Sequence, residues 1–259
     1  MAEAEVVDQH SADEEWAQVH ASMLTPAWLE GRGGHPEEHC HREMTDAVRH
    51  VVGNGGKRRA IPADFPWWRA VCDFFQRWCR HGYVRGLYQR LRRLERKRQG
   101  REAEPTAAVM DGQSVDGSDT VGADSRGCDG AKLHDGRERH VLTDTGGLLL
   151  EVTVTPANVH DSKAAPELIE ALTAELGRML KLVRADSAHQ GEALAHAFAA
   201  HGVEVEIVRR SGGSKGFVVL ARRWVVERTL GLASHAPAVS TATTSAAPIT
   251  TPRWCGGPV

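Results

Sequence analysis

Three acidic residues occupy positions that suggest a shared chemistry. Asp111 ends the apolar run T-A-A-V-M-D, and Asp186 ends the run L-K-L-V-R-A-D. Glu227 lies in A-R-R-W-V-V-E-R-T-L-G, which has the pattern of a helix. The intervals from 111 to 186 and from 186 to 227 are 75 and 41 residues. Two carboxylates at strand ends and one on a later helix suit a metal-dependent site for phosphoryl transfer.

Magnesium or manganese is the cofactor that these side chains favour. Both ions prefer oxygen ligands, and carboxylates are their usual protein donors. Two such ions about 4 Å apart activate an attacking oxygen and stabilise a leaving one. We expect Asp111 and Asp186 to bridge two Mg²⁺ (or Mn²⁺) ions and Glu227 to complete the shell of one. From spacing alone, the alternative of unrelated surface acids among the 34 acidic residues stays open.

The elements that must hold these acids are predicted from about residue 105 onward. V-M-D and L-K-L-V-R-A-D are predicted strands, as are R-H-V-L-T-D and L-L-L-E-V-T-V-T, which meet at D-T-G-G. Residues 112–136 are rich in Gly, Asp and Ser and predict a loop or open hairpin. Helices are expected at 162–178, 191–201 and 221–231, with a strand at 203–208. This order predicts an α/β fold with a ribonuclease-H-like mixed sheet and flanking helices.

The first hundred residues are predicted to form a small helical region with a basic second half. Helical patterns cover residues 11–30, 37–52, 67–81 and 83–99. Residues 57–101 contain 14 Lys or Arg and 3 acidic residues. Residues 1–56 contain 3 Lys or Arg and 11 acidic residues. Such a block favours binding to a polyanion, although a solvated helix face is the alternative. Trp67, Trp68 and Trp78 would either stack on unpaired bases or join Phe74 and Phe75 in a core.

Other features of the sequence limit the class of protein. No apolar run approaches the roughly 18 residues of a membrane span, and no signal-peptide pattern opens the chain. The five cysteines are scattered and form neither a disulfide framework nor a paired zinc motif. We therefore expect a cytoplasmic protein without a membrane partner.

Long motifs that contain the three acids resemble a known family. They are G-R-E-A-E-P-T-A-A-V-M-D-G-Q-S-V at 100–115, D-S-R-G-C-D-G-A-K-L-H-D-G-R-E-R-H-V-L-T-D-T-G-G-L-L-L at 124–150, V-T-P-A-N-V-H-D at 154–161, R-A-D-S-A-H-Q-G at 184–191 and S-G-G-S-K-G-F-V-V-L-A-R-R-W-V-V-E-R-T-L-G at 211–231. With G-N-G-G-K-R-R-A-I-P-A-D-F-P-W-W-R-A-V at 53–71, they resemble DDE transposases of bacterial insertion sequences, in the insertion-sequence-five-like family. The resemblance runs in order over about residues 11–231.

The resemblance implies a transposase that cuts double-stranded DNA at terminal inverted repeats and joins the freed 3′ ends to target DNA. It implies a homodimer on DNA, associated with the nucleoid when bound. Asp111, Asp186 and Glu227 fall on the three acidic positions of the family. Two alternatives stay open: a catalytically inactive remnant that only binds DNA, and a ribonuclease-H-like nuclease outside transposition.

Basic residues are predicted to contact the DNA. Arg223 matches a family arginine one helical turn before Glu227, where it would hold a phosphate. The basic block and the family's hairpin segment supply the other candidates: Lys57, Arg58, Arg59, Lys132, Arg137, Arg139 and His140. A solvated hairpin is the alternative for the last four. These assignments predict a DNA-binding region at 1–103, a catalytic domain at 104–231 and an aberrant tail at 232–259.

The tail departs most from the family and generates a hypothesis about the gene. Residues 232–259 contain 18 Ala, Thr, Ser or Pro among 28, with no acids and one arginine. We expect such a composition to be disordered. A-T-T-S-A-A-P-I-T-T-P-R-W, read one base out of register, permits R-D-Y-E-R-R-P-D-H-H-S-E-V, which is typical of a family C-terminus.

We therefore predict a frameshift near His235. Sequencing the gene and translating the neighbouring frames should recover arginine-rich text after a single-base shift. If no such shift restores it, the hypothesis is wrong.

Overall fold

The computed structural model describes residues 11–26, 39–54, 58–116, 125–130, 134–159, 161–186, 191–208 and 223–235. The chain divides into two compact units, and the boundary lies between Glu95 and Arg96. Lys57, Lys132 and residues 236–259 lie outside the described residues. No described helix has the length and apolar character needed to cross a bilayer.

The first unit is helical, which confirms the predicted N-terminal region. Its elements are α1 (Asp13–Ser22), α2 (His41–Asn54), a 3-10 turn (Arg58–Ala60), α3 (Trp68–Arg80) and most of α4 (Tyr83–Arg98). Apolar residues at helical spacing face inward on α2 and α3 and meet in one core. That core contains Met44, Ala47, Phe65, Val71, Phe74, Trp78 and Leu87.

The tryptophans of this unit separate into core and surface. Trp78 is buried, with ring centroids 4.4 Å from Phe74 and 4.3 Å from Tyr83. Trp67, by contrast, is 64% exposed. The core interpretation is therefore confirmed for Trp78 and wrong for Trp67.

The second unit is built on a six-stranded mixed sheet. Its elements are β1 (Ala107–Asp116), β2 (Gly127–Asp129), β3 (His134–Asp144), β4 (Leu149–Pro156), α5 (Asp161–Leu176), β5 (Leu182–Asp186), α6 (Glu192–Ala200), β6 (Glu204–Val208) and α7 (Arg223–His235). β3 pairs antiparallel with β1, β2 and β4, whereas β1, β5 and β6 run parallel. The order β4-β3-β1-β5-β6 confirms the predicted ribonuclease-H-like fold class.

The two faces of the sheet pack against different helices. Because successive strand residues point to opposite faces, Ala108 and Met110 of β1 join the large core under α5 and α6. Val109 points to the other face, where it packs with Val141 of β3 and with Val226 and Leu230 of α7. A residue's position along β1 therefore decides which helices it meets.

Two predicted boundaries in this unit differ from those of the structure. The Gly- and Asp-rich stretch at 112–136 was predicted as a loop or open hairpin, and its two ends do pair as a hairpin, because β1 continues to Asp116 and pairs with β3 from Gly136 onward. Partner strands override the weak strand propensity of these residues. The tail was predicted to begin at 232, but α7 continues to His235.

A buried carboxylate fixes the turn between β3 and β4. Asp144 has no solvent exposure, and its Oδ1 accepts hydrogen bonds from the backbone of Gly146 (2.8 Å) and Leu148 (2.9 Å). Its Oδ2 forms ion pairs with Arg96 and, at 3.1 Å, with Arg101. One side chain thus shapes the turn and ties it to the end of α4.

Replacing Asp144 with alanine should destabilise the protein by about 3–5 kcal/mol, because it leaves Arg96 buried without its carboxylate. The free energy of unfolding in urea measures this loss. Glu206→Gln is the control, since Glu206 is half exposed and pairs with Arg184 at 2.8 Å. That surface pair should contribute about 0–1 kcal/mol. Equal losses in the two variants would contradict the importance of Asp144.

Candidate active site

Asp111 and Asp186 lie on neighbouring parallel strands, each two residues beyond the paired stretch. Ala107 pairs with Leu182, Ala108 with Val183 and Val109 with Arg184. Each pair is 75 residues apart, which is also the interval between the two aspartates. The paired stretch ends at Val109 and Arg184, and Asp111 and Asp186 each follow two residues later on their strands. If the register continued, the two aspartates would be neighbours on strands spaced roughly 5 Å apart.

Both aspartates point to the face that carries α7. Asp111 shares a face with Val109, which packs on α7. Asp186 is on the face opposite Val183 and Ala185, since those two belong to the core under α5 and α6. Asp111 is only 7% exposed and accepts a hydrogen bond from the Gly112 amide at 3.0 Å, whereas Asp186 is half-buried.

Apolar and polar contacts hold α7 on this face. Val226 and Leu230 bury their side chains against the sheet. On the side of the β3–β4 turn, the Thr229 hydroxyl donates to the Gly147 carbonyl at 2.8 Å. The Arg228 guanidinium donates to the Gly146 carbonyl at 3.0 Å.

The rotation of α7 directs Glu227 away from that turn. Successive residues of an α-helix are rotated by roughly 100° about its axis. Glu227 is two residues from Val225 and two from Thr229, so it lies on roughly the opposite side of the helix from both, about 160–200° away. The side chains of Arg228, Val225 and Thr229 lie closest to Gly147 in the turn, at 2.9, 3.1 and 3.3 Å from the position of a Cβ on that glycine. The turn is at the level of Ala108, which pairs with Asp144, so β1 leads away from it toward Asp111. Glu227 is exposed.

The chemistry of the three acids suits a hard divalent cation, since carboxylate oxygens are the preferred ligands. Two of them are held by the register of the sheet and the third by a helix on the same face. Among the described residues, however, no group of three or more His, Cys, Asp or Glu lies close enough together to hold a metal ion. The structure thus gives the acids a common face without gathering them into a closed site.

The basic residues predicted to contact DNA have different surroundings. Arg59 is exposed, and its guanidinium lies 5.5 Å from the ring centroid of Trp68. Arg58 begins the 3-10 turn and Arg223 begins α7, but their side chains lie outside the description, as do Lys57 and Lys132.

The predicted surface hairpin is instead a central strand. Arg137, Arg139 and His140 are buried on β3, which is covered by strands on both sides. The solvated-hairpin alternative is therefore wrong for these three. Their burial also disagrees with the prediction that these three side chains contact DNA from an open surface. Burial lowers the pKa of the Arg137 and Arg139 guanidiniums from its ordinary value by removing them from water.

Sequence reasoning missed two residues that position the site. Asp144 and Gly147 were interpreted only as parts of a hairpin turn in D-T-G-G. A Cβ on Gly147 would lie 3.1 Å from the Val225 side chain, so α7 packs directly against this glycine. The signal was an aspartate at the start of a Gly-rich turn, which commonly accepts backbone hydrogen bonds.

Comparisons with known proteins identify both parts of the chain. Residues 102–233 match the family described as Transposase DDE domain. Residues 12–88 match the family described as Putative transposase of IS4/5 family. No curated protein matches the chain in sequence.

Two solved structures are similar at low identity. One is a chain of the cryoEM structure of the simian T-cell lymphotropic virus intasome in complex with PP2A regulatory subunit B56 gamma, at 18% identity and a TM-score of 0.34. The match covers 51% of this chain and 39% of that one. The other is the Mos1 transposase paired-end complex with left transposon end, at 12% identity and a TM-score of 0.27. It covers 74% of this chain and 65% of that one.

Gly147→Ala should loosen α7 and with it Glu227. Gly147 has a φ of +91°, and its new methyl group would press on Val225. We expect a loss of about 2–3 kcal/mol and faster hydrogen exchange in α7. Gly202→Ala is the control, because Gly202 has a φ of +72° with nothing within 4 Å of the new Cβ. It should cost only about 1–2 kcal/mol, without an effect on α7. Unchanged exchange in α7 of the Gly147 variant would refute this role.

Proposed function

This chain belongs to the DDE transposase family, and we propose that it catalyses metal-dependent DNA strand cleavage and strand transfer at insertion-sequence ends. The observation that supports the proposal is the parallel pairing of β1 with β5, whose register, continued two residues past Val109 and Arg184, would bring Asp111 next to Asp186 on the face covered by α7. Glu227 of α7 would supply the third carboxylate. The residue types and their placement agree with the family's chemistry.

Asp111, Asp186 and Glu227 would hold two Mg²⁺ or Mn²⁺ ions. When bound, such ions make an attacking oxygen more nucleophilic and offset the negative charge on a leaving oxygen. The sheet fixes the two aspartates, because their strands are hydrogen-bonded to neighbours. The position of Glu227 depends on how α7 is seated on the sheet.

The proposed reaction has two transfers. In cleavage, a water oxygen attacks phosphorus at the element's end, water loses a proton, and the bond from phosphorus to the 3′ oxygen breaks. The released 3′ oxygen takes up a proton and becomes a hydroxyl. In strand transfer, that hydroxyl loses its proton as it attacks a phosphorus of target DNA, and the target's own 3′ oxygen leaves. Arg223 would hold a neighbouring phosphate.

The helical unit is the proposed DNA-binding part. Arg69 lies 5.9 Å from the Trp67 ring centroid and 5.6 Å from that of Trp68. With Arg59 on Trp68, these residues form a surface of cations and aromatic rings that fits phosphates and exposed bases. Lys57 and Arg58 adjoin it in sequence. We also propose that the affinity for DNA falls steeply as the salt concentration rises. The protein would bind as a homodimer that holds two DNA ends together.

A second candidate is an inactive transposase remnant that only binds DNA. The composition after His235, which lacks acids and has one arginine, favours it. In that case DNA binding would persist, but no strand would be cut with either metal ion.

Asp111→Asn and Asp186→Asn should each abolish cleavage of a duplex that carries the end of the encoding element. The neutral amides replace charged metal ligands. Because a bound metal ion stabilises the charge of the transition state by several kcal/mol, the cleavage rate should fall roughly 100- to 1,000-fold or more. Cleavage with Mg²⁺ or Mn²⁺ and DNA affinity are measured on the same variants. Asp116→Asn, at the exposed end of the same strand, is the control and should cut normally.

The outcomes separate the candidates. Loss of cutting with retained affinity in the two aspartate variants supports the transposase. Binding without cutting by the unaltered chain supports the remnant, and cutting without strand joining indicates a nuclease outside transposition. Undiminished cutting by Asp111→Asn would refute the assigned site.

A further inference from the structure

Trp67 exposes an indole ring that the core of the helical unit does not use. The residue is 64% exposed, whereas Phe65, two residues earlier, and Trp78 of α3 are buried. A single exposed ring on a protein surface needs no explanation. Trp67 differs because it belongs to an ordered group of aromatic rings and cations.

That group, the Trp67 platform, consists of Arg59, Trp67, Trp68 and Arg69. The two indole centroids are 6.0 Å apart and the ring planes are inclined by 64°, so the rings meet edge to face. The Arg69 guanidinium lies within 6 Å of both centroids, and that of Arg59 lies 5.5 Å from the centroid of Trp68. These cation–π contacts orient the rings while leaving Trp67 open to solvent.

The backbone of Trp67 is fixed by the start of a helix. Trp67 immediately precedes α3, and its carbonyl accepts a hydrogen bond from the Val71 amide at 3.2 Å. Pro66 comes directly before it and restricts the chain further. A ring on such a backbone loses less conformational entropy when a ligand stacks on it than a ring in a loop does.

The arginines of the platform have charges that no carboxylate neutralises. Among the described residues, neither Arg59 nor Arg69 forms an ion pair. Asp64 and Asp73, the acids closest to them in sequence, are both exposed. The platform therefore presents positive charge next to an open aromatic ring.

This combination restricts the chemistry of the ligand. A cationic ligand, such as a quaternary ammonium, would be repelled by the two guanidiniums. A bare phosphate would use the arginines but not the indole. The interior of a DNA duplex offers phosphates, but its base faces are covered by neighbouring bases. A ligand that uses both parts carries a negative charge and an uncovered aromatic face, as an unpaired nucleotide does.

We propose that the Trp67 platform binds single-stranded DNA, with one unpaired base stacked on Trp67 and the adjoining phosphates on Arg59 and Arg69. The inference deepens the proposed DNA binding of the helical unit, and it rests on that proposal in taking DNA as the nucleic acid. The helical unit would thus recognise an opened or frayed DNA end by its unpaired bases.

Trp67→Ala in the full chain tests the inference with two probes of equal length, oligothymidylate and the blunt duplex that it forms with oligodeoxyadenylate. Affinity for the single strand should fall on the order of 10- to 100-fold, because one stacking surface is lost. Affinity for the duplex should fall much less, since paired bases offer a face only at the ends. Trp67→Phe retains a smaller ring, so its affinity for the single strand should lie between those of Trp67→Ala and the unaltered chain.

Tyr88→Ala is the matched control, because Tyr88 of α4 is another exposed ring of the same unit. Its affinity for both probes should equal that of the unaltered chain. The urea midpoint of Trp67→Ala should stay close to that of the unaltered chain, since the ring is mostly exposed. Equal losses of affinity for the two probes in Trp67→Ala would overturn the inference, and so would undiminished binding of oligothymidylate. Tighter binding of an RNA strand, oligouridylate, by the unaltered chain would overturn the choice of DNA.

The failure of the proposed chemistry gives a different result. A chain that never cuts DNA, but loses affinity for oligothymidylate with Trp67→Ala, contradicts the proposed cleavage and supports the platform. A chain that cuts the element's end, but binds oligothymidylate equally with and without the Trp67 indole, does the reverse.

Discussion

The buried carboxylate of Asp144 is the interaction on which the candidate site depends. It holds the Gly146 and Leu148 amides and so gives the β3–β4 turn its shape. The carbonyls of that turn then face Arg228 and Thr229 of α7. A single ionised side chain, neutralised by two arginines, thus determines where the helix of Glu227 can dock. Asp144 lies more than 80 residues before Glu227 in the sequence, so the third acid is positioned by a distant residue.

The three acids are held by interactions of different strength. Asp111 and Asp186 take their places from backbone pairing, which many hydrogen bonds maintain together. Glu227 takes its place from a helix of 13 residues seated by three buried apolar side chains and two polar contacts. Isolated helices of this length are marginal in water, so packing decides its stability. The helix is therefore the adjustable part of the site, and the sheet is the fixed part.

Features of the fold that depend on a local sequence pattern could be predicted from the sequence. Short apolar runs that end in an acid indicated strands at V-M-D and L-K-L-V-R-A-D, and both stretches are strands. Features that depend on a distant partner were missed. The extension of β1 to Asp116 requires β3, and the burial of Arg137 and Arg139 follows from β3 lying between two strands. Charge made these arginines look like surface residues, because composition contains no information about strand order.

The parallel register of β1 and β5 has a further consequence for folding. Slipping β5 by one residue would turn Asp186 toward the apolar core under α5 and α6, where Val183 and Ala185 now lie. A carboxylate in that core would oppose folding strongly. The wrong pairing is thus penalised by the same residue that the site requires. An acid of the candidate site at a strand end therefore also protects the fidelity of assembly, whether or not the protein ever meets DNA.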